Sequence, residues 1–567
     1  MKFSQMQYTR PDKDEILARL ADYTRRLETA ADFSQAETAF LDEDNYMGSV
    51  MTQYTLVTIR HSIDTRDEFY AAESDWWDET APLLEEGSNA FEQALFTSPF
   101  RPQFEEKYGS VVFKNTELSL KCFSPEIIPE LQQENTLITE YDKLIASAQI
   151  PFEGETYTVA QLEPMRQLPD DARRHAAWNA TGTWFAEQGS KLDRIYDDLV
   201  KVRTSIGRKL GFADFTDLGY CRLTRNCYDR EDVEKFRLAV QKYLVPVADS
   251  IRRAQAERLG VSYPMSYADQ ALMFRSGNPL PQGTADDIMA HARTFYHELS
   301  PETAEFIDFM TENELMDLLA RPGKQAGGYC TELPDYKSPF IFANFNGTQS
   351  DVETVTHEAG HAFEAYAARD IMPAGCRQPT MEGCEVHSMS MEFFAWGWSE
   401  GFFGKDTDKF HYSHLAAALT FIPYGTMVDH FQHIMYEKPD LSPAERIGVW
   451  KELTSLYMPW IKLDGEIPFF SEGRYWQRQI HIYQVPFYYI DYCLAQTMAL
   501  YFWGQMQDNM AEAWKNYYRY TKLAGTMTFT ELLEASGLPS PFDENTLRGV
   551  CEKAAQWLAD FDLSKIQ

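Results

Sequence analysis

The sequence predicts a mainly helical protein, and three observations support this prediction. Several long stretches place apolar residues three and four positions apart, as on one face of a helix. These stretches include residues 14–26, 193–209, 232–259 and 511–523. Patterns that alternate apolar and polar residues, as in exposed strands, are few. Segments rich in proline and glycine are too short for flexible linkers, so we expect helical lobes that pack closely together.

Residue patterns that could carry chemistry are unevenly distributed along the 567 residues. Most of them lie between Gly327 and Tyr492, and none is recognisable before about residue 200. We therefore predict an N-terminal helical lobe without catalytic residues over residues 1–200. Residues 201–567 are then expected to form the catalytic lobe.

Composition excludes some classes of partner. The formal net charge of −34 disfavours binding to phosphate backbones, so we expect no nucleic-acid partner. No stretch of 18 uncharged apolar residues occurs, and the N-terminal residues lack the apolar run of a secretory signal. The eight cysteines form no CxxC pair and are too sparse for a disulfide scaffold. We expect a soluble cytoplasmic protein with reduced thiols and no membrane partner.

The strongest motif is HEAGH, which begins at His357. Ser350 and Glu353 have capping-box spacing, and the segment onward through Arg369 contains no proline, so we predict a helix over residues 351–369. His357 and His361 then share one helix face, at the spacing that one Zn²⁺ ion requires. Chance alone gives about 0.02 HExxH matches in a chain of this composition. Glu358 lies about 100° around the helix, where its carboxylate could take a proton from water.

A catalytic zinc site needs a third protein ligand and one open position. The three-histidine form of the motif is excluded because Glu364 and Ala367 stand where that form has glycine and histidine. Pro379 and Thr380 predict the start of a second helix, whose Glu382, Glu385 and Glu392 lie on roughly one face. Helical geometry leaves Glu382 and Glu385 as equal candidates for the third ligand.

An apolar segment, residues 336–345, ends in Asn346-Gly347-Thr348 just before the HEAGH helix. It predicts a strand closed by a turn. Two roles remain open for this strand. It could bind a substrate backbone by strand addition, or it could simply pack under the helix.

Together with HEAGH, the segments CEVHSMSMEFF and HIYQVPFYYIDYCLAQ resemble the M3 family of oligopeptidases, especially the oligoendopeptidase F and Pz-peptidase branch. Further segments such as IRHSIDTRDEFY and LVKVRTSIGRKLGF extend the resemblance over nearly the whole chain. The resemblance implies a helical ellipsoid with a deep central channel, a zincin-like HExxH region with a small β-sheet, and short unstructured peptides as substrates.

The family also implies roles for particular residues. Its third zinc ligand is a glutamate about 28 positions after the first histidine, which is Glu385. His357, His361 and Glu385 would then hold one Zn²⁺ ion, with Glu358 as the general base. Glu392 is a candidate for fixing the orientation of a ligand imidazole.

Family members use a histidine and tyrosines from a C-terminal segment to grip the substrate and the oxyanion. The matching residues here are His481, Tyr488, Tyr489 and Tyr492, and Tyr488 and Tyr492 are four apart on one predicted helix face. Spacing in this segment differs from that of the thimet-type oligopeptidases. Which tyrosine donates to the oxyanion is therefore left open.

We expect a zinc metalloendopeptidase that hydrolyses internal bonds of short peptides. Two other functions are considered: a metallocarboxypeptidase of a related helical HExxH class, and a non-catalytic peptide-binding protein. A peptide blocked at both ends discriminates between the first two. The intact HExxH motif argues against the third.

Overall fold

The computed structural model describes residues 1–321, 323–325 and 327–566. This part of the chain is mainly helical with little β-structure, which confirms the predicted fold class. The α-helices, in chain order, are α1 (Lys13–Glu28), α2 (Phe33–Ile63), α3 (Glu68–Phe96), α4 (Arg101–Tyr108), α5 (Val111–Lys121), α6 (Ile128–Ala146), α7 (Asp171–Lys209), α8 (Phe215–Arg222), α9 (Arg230–Ala239), α10 (Val245–Leu259), α11 (Tyr267–Gln270), α12 (Ala285–Leu299), α13 (Pro301–Glu312), α14 (Gln349–Ala368), α15 (Met381–Phe394), α16 (Ser399–Phe403), α17 (Thr407–Glu437), α18 (Pro443–Tyr457), α19 (Ile480–Gln484), α20 (Tyr489–Leu523), α21 (Phe529–Ala535) and α22 (Glu544–Asp560).

Two small sheets accompany the helices. The strands are β1 (Ile150–Phe152), β2 (Glu155–Tyr157), β3 (Met316–Leu319), β4 (Tyr329–Leu333) and β5 (Ser338–Phe345). Strands β1 and β2 form an antiparallel hairpin. The other sheet has the order β3-β5-β4, with β5 parallel to β3 and antiparallel to β4. Strand β5, which precedes the HEAGH helix, is therefore the central strand.

The chain divides into two compact units. The first unit consists of residues 1–120, 280–404 and 505–539, and the second unit of residues 121–279, 405–504 and 540–567. Residue 200, where the sequence suggests a lobe boundary, lies inside helix α7 of the second unit. The division into compact units thus differs from the predicted division at residue 200. The assignment of catalysis to residues 201–567 stays a prediction.

In the first unit, helix α14 packs against both α15 and strand β5. Strand β5 is almost wholly buried, since only Asn344 of its eight residues is partly exposed. Helices α1, α2 and α3 of the same unit pack around a separate apolar cluster that includes Leu20, Val57 and Trp77. The metal-motif helix is consequently held between a buried strand and a second helix.

The second unit has an aromatic core between α7, α17 and α18. The ring of Trp476 lies 4.7 Å from that of Tyr196 and 5.0 Å from that of Phe431. Trp450 packs edge-on against Phe431 at 5.2 Å. Large, close-packed rings of this kind dominate core stability and fix the elements that carry them.

None of the helices in the described ranges combines the length and apolar character that a membrane span needs.

Candidate active site

Helix α14 begins two residues earlier and ends one residue earlier than predicted. Its N-cap is Thr348, which makes no side-chain cap hydrogen bond, so the predicted capping box of Ser350 and Glu353 is wrong. The Asp351 carboxylate instead accepts hydrogen bonds from the backbone N–H groups of Asn346 and Gly347, at 2.9 and 2.7 Å. A carboxylate in the first helical turn also interacts favourably with the helix dipole. Asp351 thereby ties the turn after β5 to the start of the helix.

The three side chains predicted as metal ligands converge. His357 Nε2 lies 3.4 Å from Glu385 Oε2, and His361 Nε2 lies 3.6 Å from the same oxygen. One donor atom from each of the three residues lies within 4.8 Å of the others. Zinc bonds of about 2.0–2.1 Å at tetrahedral angles place neighbouring ligand atoms about 3.3 Å apart. Two imidazole nitrogens and one carboxylate oxygen at these separations fit a zinc ion.

Glu385 reaches the histidines because α15 approaches α14 closely at Gly360. A Cβ atom at position 360 would lie 2.7 Å from both the carbonyl oxygen of His387 and the Cα of Ser388. Only glycine permits that approach, since real Cβ contacts are never so short. The close approach of α15 thus explains why the HEAGH motif has glycine at position 360. The position of the glycine in the motif alone does not reveal this.

Glu385, rather than Glu382, completes the group. Glu382 is buried on the same helix, but its Oε1 accepts a hydrogen bond from the Thr380 hydroxyl at 2.7 Å. Although burial raises the pKa of Glu385, hydrogen bonds with His357 and His361 outweigh burial and hold that pKa well below its usual value. A buried carboxylate that stays ionised at this position suits a cation.

The orientation of the His357 ring is set by Glu392. Nδ1 of His357 lies 2.8 Å from Oε1 of Glu392, which stands two turns after Glu385 on the same face of α15. Because the carboxylate accepts, Nδ1 carries the proton and the Nε2 lone pair is left for a metal. The structure therefore brings the sequence candidate Glu392 into contact with a predicted ligand.

Glu358 lies beside the group without joining it. Its side chain is 9% exposed, and burial raises the pKa of its carboxyl, with the nearby carboxylates adding to the effect and the two histidines opposing it. A Cβ atom at Gly328, just before β4, would lie 3.6 Å from Glu358 Oε1. A carboxyl with a raised pKa is suited to accept and return a proton near neutral pH.

The predicted substrate-binding residues form their own cluster in the second unit. The His481 ring centroid lies 5.8 Å from that of Tyr488, 5.0 Å from that of Tyr489 and 5.9 Å from that of Tyr492. Tyr488 and Tyr492 are 4.8 Å apart. All four residues lie at the junction of α19 and α20. Their roles stay predictions.

Phe487 fixes the turn that precedes these tyrosines. It has φ +69°, a left-handed conformation that a side chain makes costly. Its N–H donates to Gln432 Oε1 at 3.1 Å, and its carbonyl accepts from Arg225 at 2.5 Å. Arg225 also donates to Asp491 Oδ1 at 2.8 Å. Neither Arg225 nor Gln432 stands out in the sequence, because their partners are more than 50 residues away.

The chain matches two family models, Peptidase M3 N-terminal domain over residues 3–123 and Peptidase family M3 over residues 298–551. A comparison with curated protein sequences finds no match.

Three solved structures are similar over almost their whole length. A protein assigned as oligoendopeptidase F is 45% identical, with 99% of each chain covered and a TM-score of 0.93. Pz peptidase A, solved with an inhibitor, is 45% identical, with 99% of this chain and 100% of that chain covered and a TM-score of 0.94. A protein from Bacillus anthracis str. Ames, also assigned as oligoendopeptidase F, is 42% identical, with 100% of this chain and 99% of that chain covered and a TM-score of 0.90. The chain therefore belongs to peptidase family M3, in the branch of oligoendopeptidase F and Pz peptidase.

Proposed function

We propose that this M3 peptidase is a zinc endopeptidase that hydrolyses internal bonds of short, unstructured peptides. His357, His361 and Glu385 would hold one Zn²⁺ ion, and Glu358 would act as the general base. The convergence of these three donor atoms is the observation that carries the proposal, because two imidazoles and a carboxylate leave a fourth position open for chemistry.

Charge at the site favours a divalent cation. Three carboxylates, those of Glu358, Glu385 and Glu392, lie around two imidazoles. Two of the three, Glu358 and Glu385, are buried and Glu392 is half-buried, and so many carboxylates are costly without positive charge among them. When bound, Zn²⁺ supplies Lewis-acid chemistry by lowering the pKa of water toward neutrality and polarising a carbonyl.

Glu358 has the properties that the proton transfers require. As the base, it removes a proton from the water that attacks the scissile carbonyl, and it then returns that proton to the leaving amine. Its raised pKa supports both steps, since a strongly acidic carboxyl would be a poor base. No side chain becomes covalently attached to the substrate in this scheme.

The aromatic cluster of the second unit would supply donors to the substrate. Tyr488, Tyr489, Tyr492 and His481 all carry groups that can donate a hydrogen bond to a carbonyl oxygen or to a developing oxyanion. Family membership supports this role. Their mutual contacts support a cluster that acts together.

The sheet limits how an extended peptide could bind. Strand β5 is paired on both sides, so it cannot accept a further strand, and of the two roles considered for it packing is the one that the sheet allows. Addition of a substrate backbone to this sheet would have to occur at β3 or β4, its two edges. Strand β4 follows Gly328, which adjoins Glu358.

A peptide blocked at both ends, with a fluorophore and a quencher on either side of the cleaved bond, tests the proposal. We expect cleavage that a chelator abolishes and that added Zn²⁺ restores. Absence of cleavage of blocked peptides, with release of single residues from free C-termini, would indicate a carboxypeptidase. Binding without any cleavage, with or without zinc, would indicate a peptide-binding protein.

A further inference from the structure

Two polar side chains connect helix α17 to the His481 ring. Gln479 Nε2 lies 2.8 Å from His481 Nδ1, and the Tyr424 hydroxyl donates to Gln479 Oε1 at 2.8 Å. Gln479 is the residue just before α19, and its N–H donates to the carbonyl of Trp476 at 3.0 Å. Backbone and side chain of Gln479 are therefore both held.

Direction can be assigned to this chain of hydrogen bonds. An amide nitrogen can only donate, so His481 Nδ1 must accept from Gln479 and cannot carry a proton. Burial raises the pKa of Tyr424 well above its usual value, so its hydroxyl stays protonated and donates to the amide oxygen. With the amide reversed, Nδ1–H would donate to Oε1 and the tyrosine hydroxyl would accept from Nε2, so the orientation of the amide and the position of the His481 proton are a single choice.

We propose that Tyr424 and Gln479 are positioning residues that hold His481 as the tautomer with its proton on Nε2. Nε2 is then the ring nitrogen that donates when a substrate binds. The inference rests on the proposed peptidase function and deepens it, since it states which nitrogen of His481 acts and what selects that nitrogen.

What a histidine can do in an active site depends on its tautomer, because in the neutral ring one nitrogen donates a hydrogen bond and the other accepts one. A ring with the proton on Nδ1 would present a lone pair, not a donor, to a carbonyl oxygen. Protonation of both nitrogens is disfavoured as well, because Nδ1–H would then face the N–H group of Gln479. Gln479 thus selects one of three states.

Nitrogen-15 NMR of the full-length protein labelled on histidine reads the tautomer directly. The chain has 12 histidines, and the His481 signals are identified by their loss in His481→Gln. We expect Nδ1 of His481 to resonate in the pyridine-type range and Nε2 in the pyrrole-type range. In Gln479→Glu the side chain can only accept at neutral pH, so we expect Nδ1 of the neutral ring to acquire the proton that Nε2 loses, and the two nitrogens to exchange their pyrrole-type and pyridine-type ranges.

Kinetics on the doubly blocked peptide then show whether the tautomer matters for the reaction. We expect kcat and kcat/KM of Gln479→Glu to fall together by about ten-fold or more, with KM within about two-fold, because a donor used in the transition state is lost. Tyr424→Phe removes only the hydroxyl that anchors the amide. We expect it to give mixed tautomer signals and a fall of about two- to five-fold.

Gln484→Glu is the matched control, because it makes the same substitution at the other end of α19, where the side chain contacts Asp142 and not the histidine. We expect wild-type tautomer and kinetics from this control.

A proton on Nδ1 of His481 in the wild type would overturn the inference even if the peptidase activity is found. An altered tautomer in Gln479→Glu with unchanged kcat, or equal effects of Gln484→Glu, would overturn it too. Absence of peptidase activity would contradict the proposed function, whereas the NMR signals would still show whether Gln479 selects the tautomer.

Discussion

Nδ1 of His357 donates a hydrogen bond to Oε1 of Glu392 over 2.8 Å, and this contact selects the ring nitrogen that faces Glu385. Replacing Glu392 with glutamine removes the charge that stabilises the ring in this orientation. Loss of such a supporting carboxylate typically costs 10- to 100-fold in metal affinity. We expect Glu392→Gln to weaken zinc binding by about ten-fold, measured by competition with a chromophoric chelator. Glu382→Gln, on the same helix, is the control, and an equal loss in both variants would contradict the role of Glu392.

Glu358→Gln should separate metal binding from turnover. Glutamine keeps the size of the side chain but cannot accept the proton of the attacking water, so we expect kcat to fall by at least about 10²- to 10⁴-fold. Zinc content should remain at one ion per chain, because Glu358 lies outside the three-residue group. Near-normal cleavage by zinc-loaded Glu358→Gln would show that another group is the base.

Much of this site follows from local sequence, because the helix period alone places His357 and His361 on one face. The bounds of α14 and the start of α15 also agree with the predicted ones to within two residues, since a turn and a proline mark the two starts. The choice between Glu382 and Glu385 could not be made from a helical wheel. It depends on how α15 crosses α14, which is a long-range contact set at Gly360.

Other features depended on turn geometry or on partners far along the chain. The start of α14 is held by Asp351, which accepts from the N–H groups of the turn after β5, and not by the expected capping box of Ser350 and Glu353. The central position of β5 arises from pairing with β3 and β4, which the β5 sequence does not specify. The same is true of Tyr424 and Gln479, which are 55 residues apart.

Gly360→Ala tests the close approach of α14 and α15. The added Cβ would meet backbone atoms of His387 and Ser388, which cannot move as a flexible side chain could. Overpacking of this kind costs about 1–3 kcal/mol and should shift Glu385 away from the histidines. We expect a lower thermal midpoint and at least ten-fold weaker zinc binding. Gly397→Ala, where a Cβ would contact nothing within 4 Å, should leave zinc binding unchanged.

Glu43 of α2 makes stability depend on pH. Burial, with help from Asp44 and Glu92, raises the pKa of Glu43 to about 7 from a usual value near 4.5. An acid with a raised pKa in the folded state is neutral there, so its ionisation opposes folding. Its contribution to stability is therefore lost progressively as pH rises from about 4.5 to 7, by about 1–3 kcal/mol in total.

Glu43→Gln should remove this loss. We expect the thermal midpoint of the variant to exceed that of the wild type by about 1–3 °C at pH 8 and to match it at pH 4.5. Glu28→Gln, at an exposed position of α1, serves as the control and should show no such pH-dependent gain. A Glu43→Gln gain that is the same at both pH values would contradict the raised pKa.

Gly219→Ala tests the strained turn at Phe487. A Cβ atom at position 219 would lie 2.6 Å from Cδ2 of the Phe487 ring. That ring cannot easily retreat, because Gln432 and Arg225 hold the backbone N–H and carbonyl of Phe487. We expect a loss of about 1–3 kcal/mol in stability, seen as a lower thermal midpoint. Displacement of Tyr488, the next residue, should also lower kcat/KM by more than the loss of folded protein explains.

Gly448→Ala on α18, where a Cβ would contact nothing within 4 Å, controls for the substitution itself. Wild-type stability and kinetics in Gly219→Ala would mean that the turn tolerates movement and does not position the tyrosines.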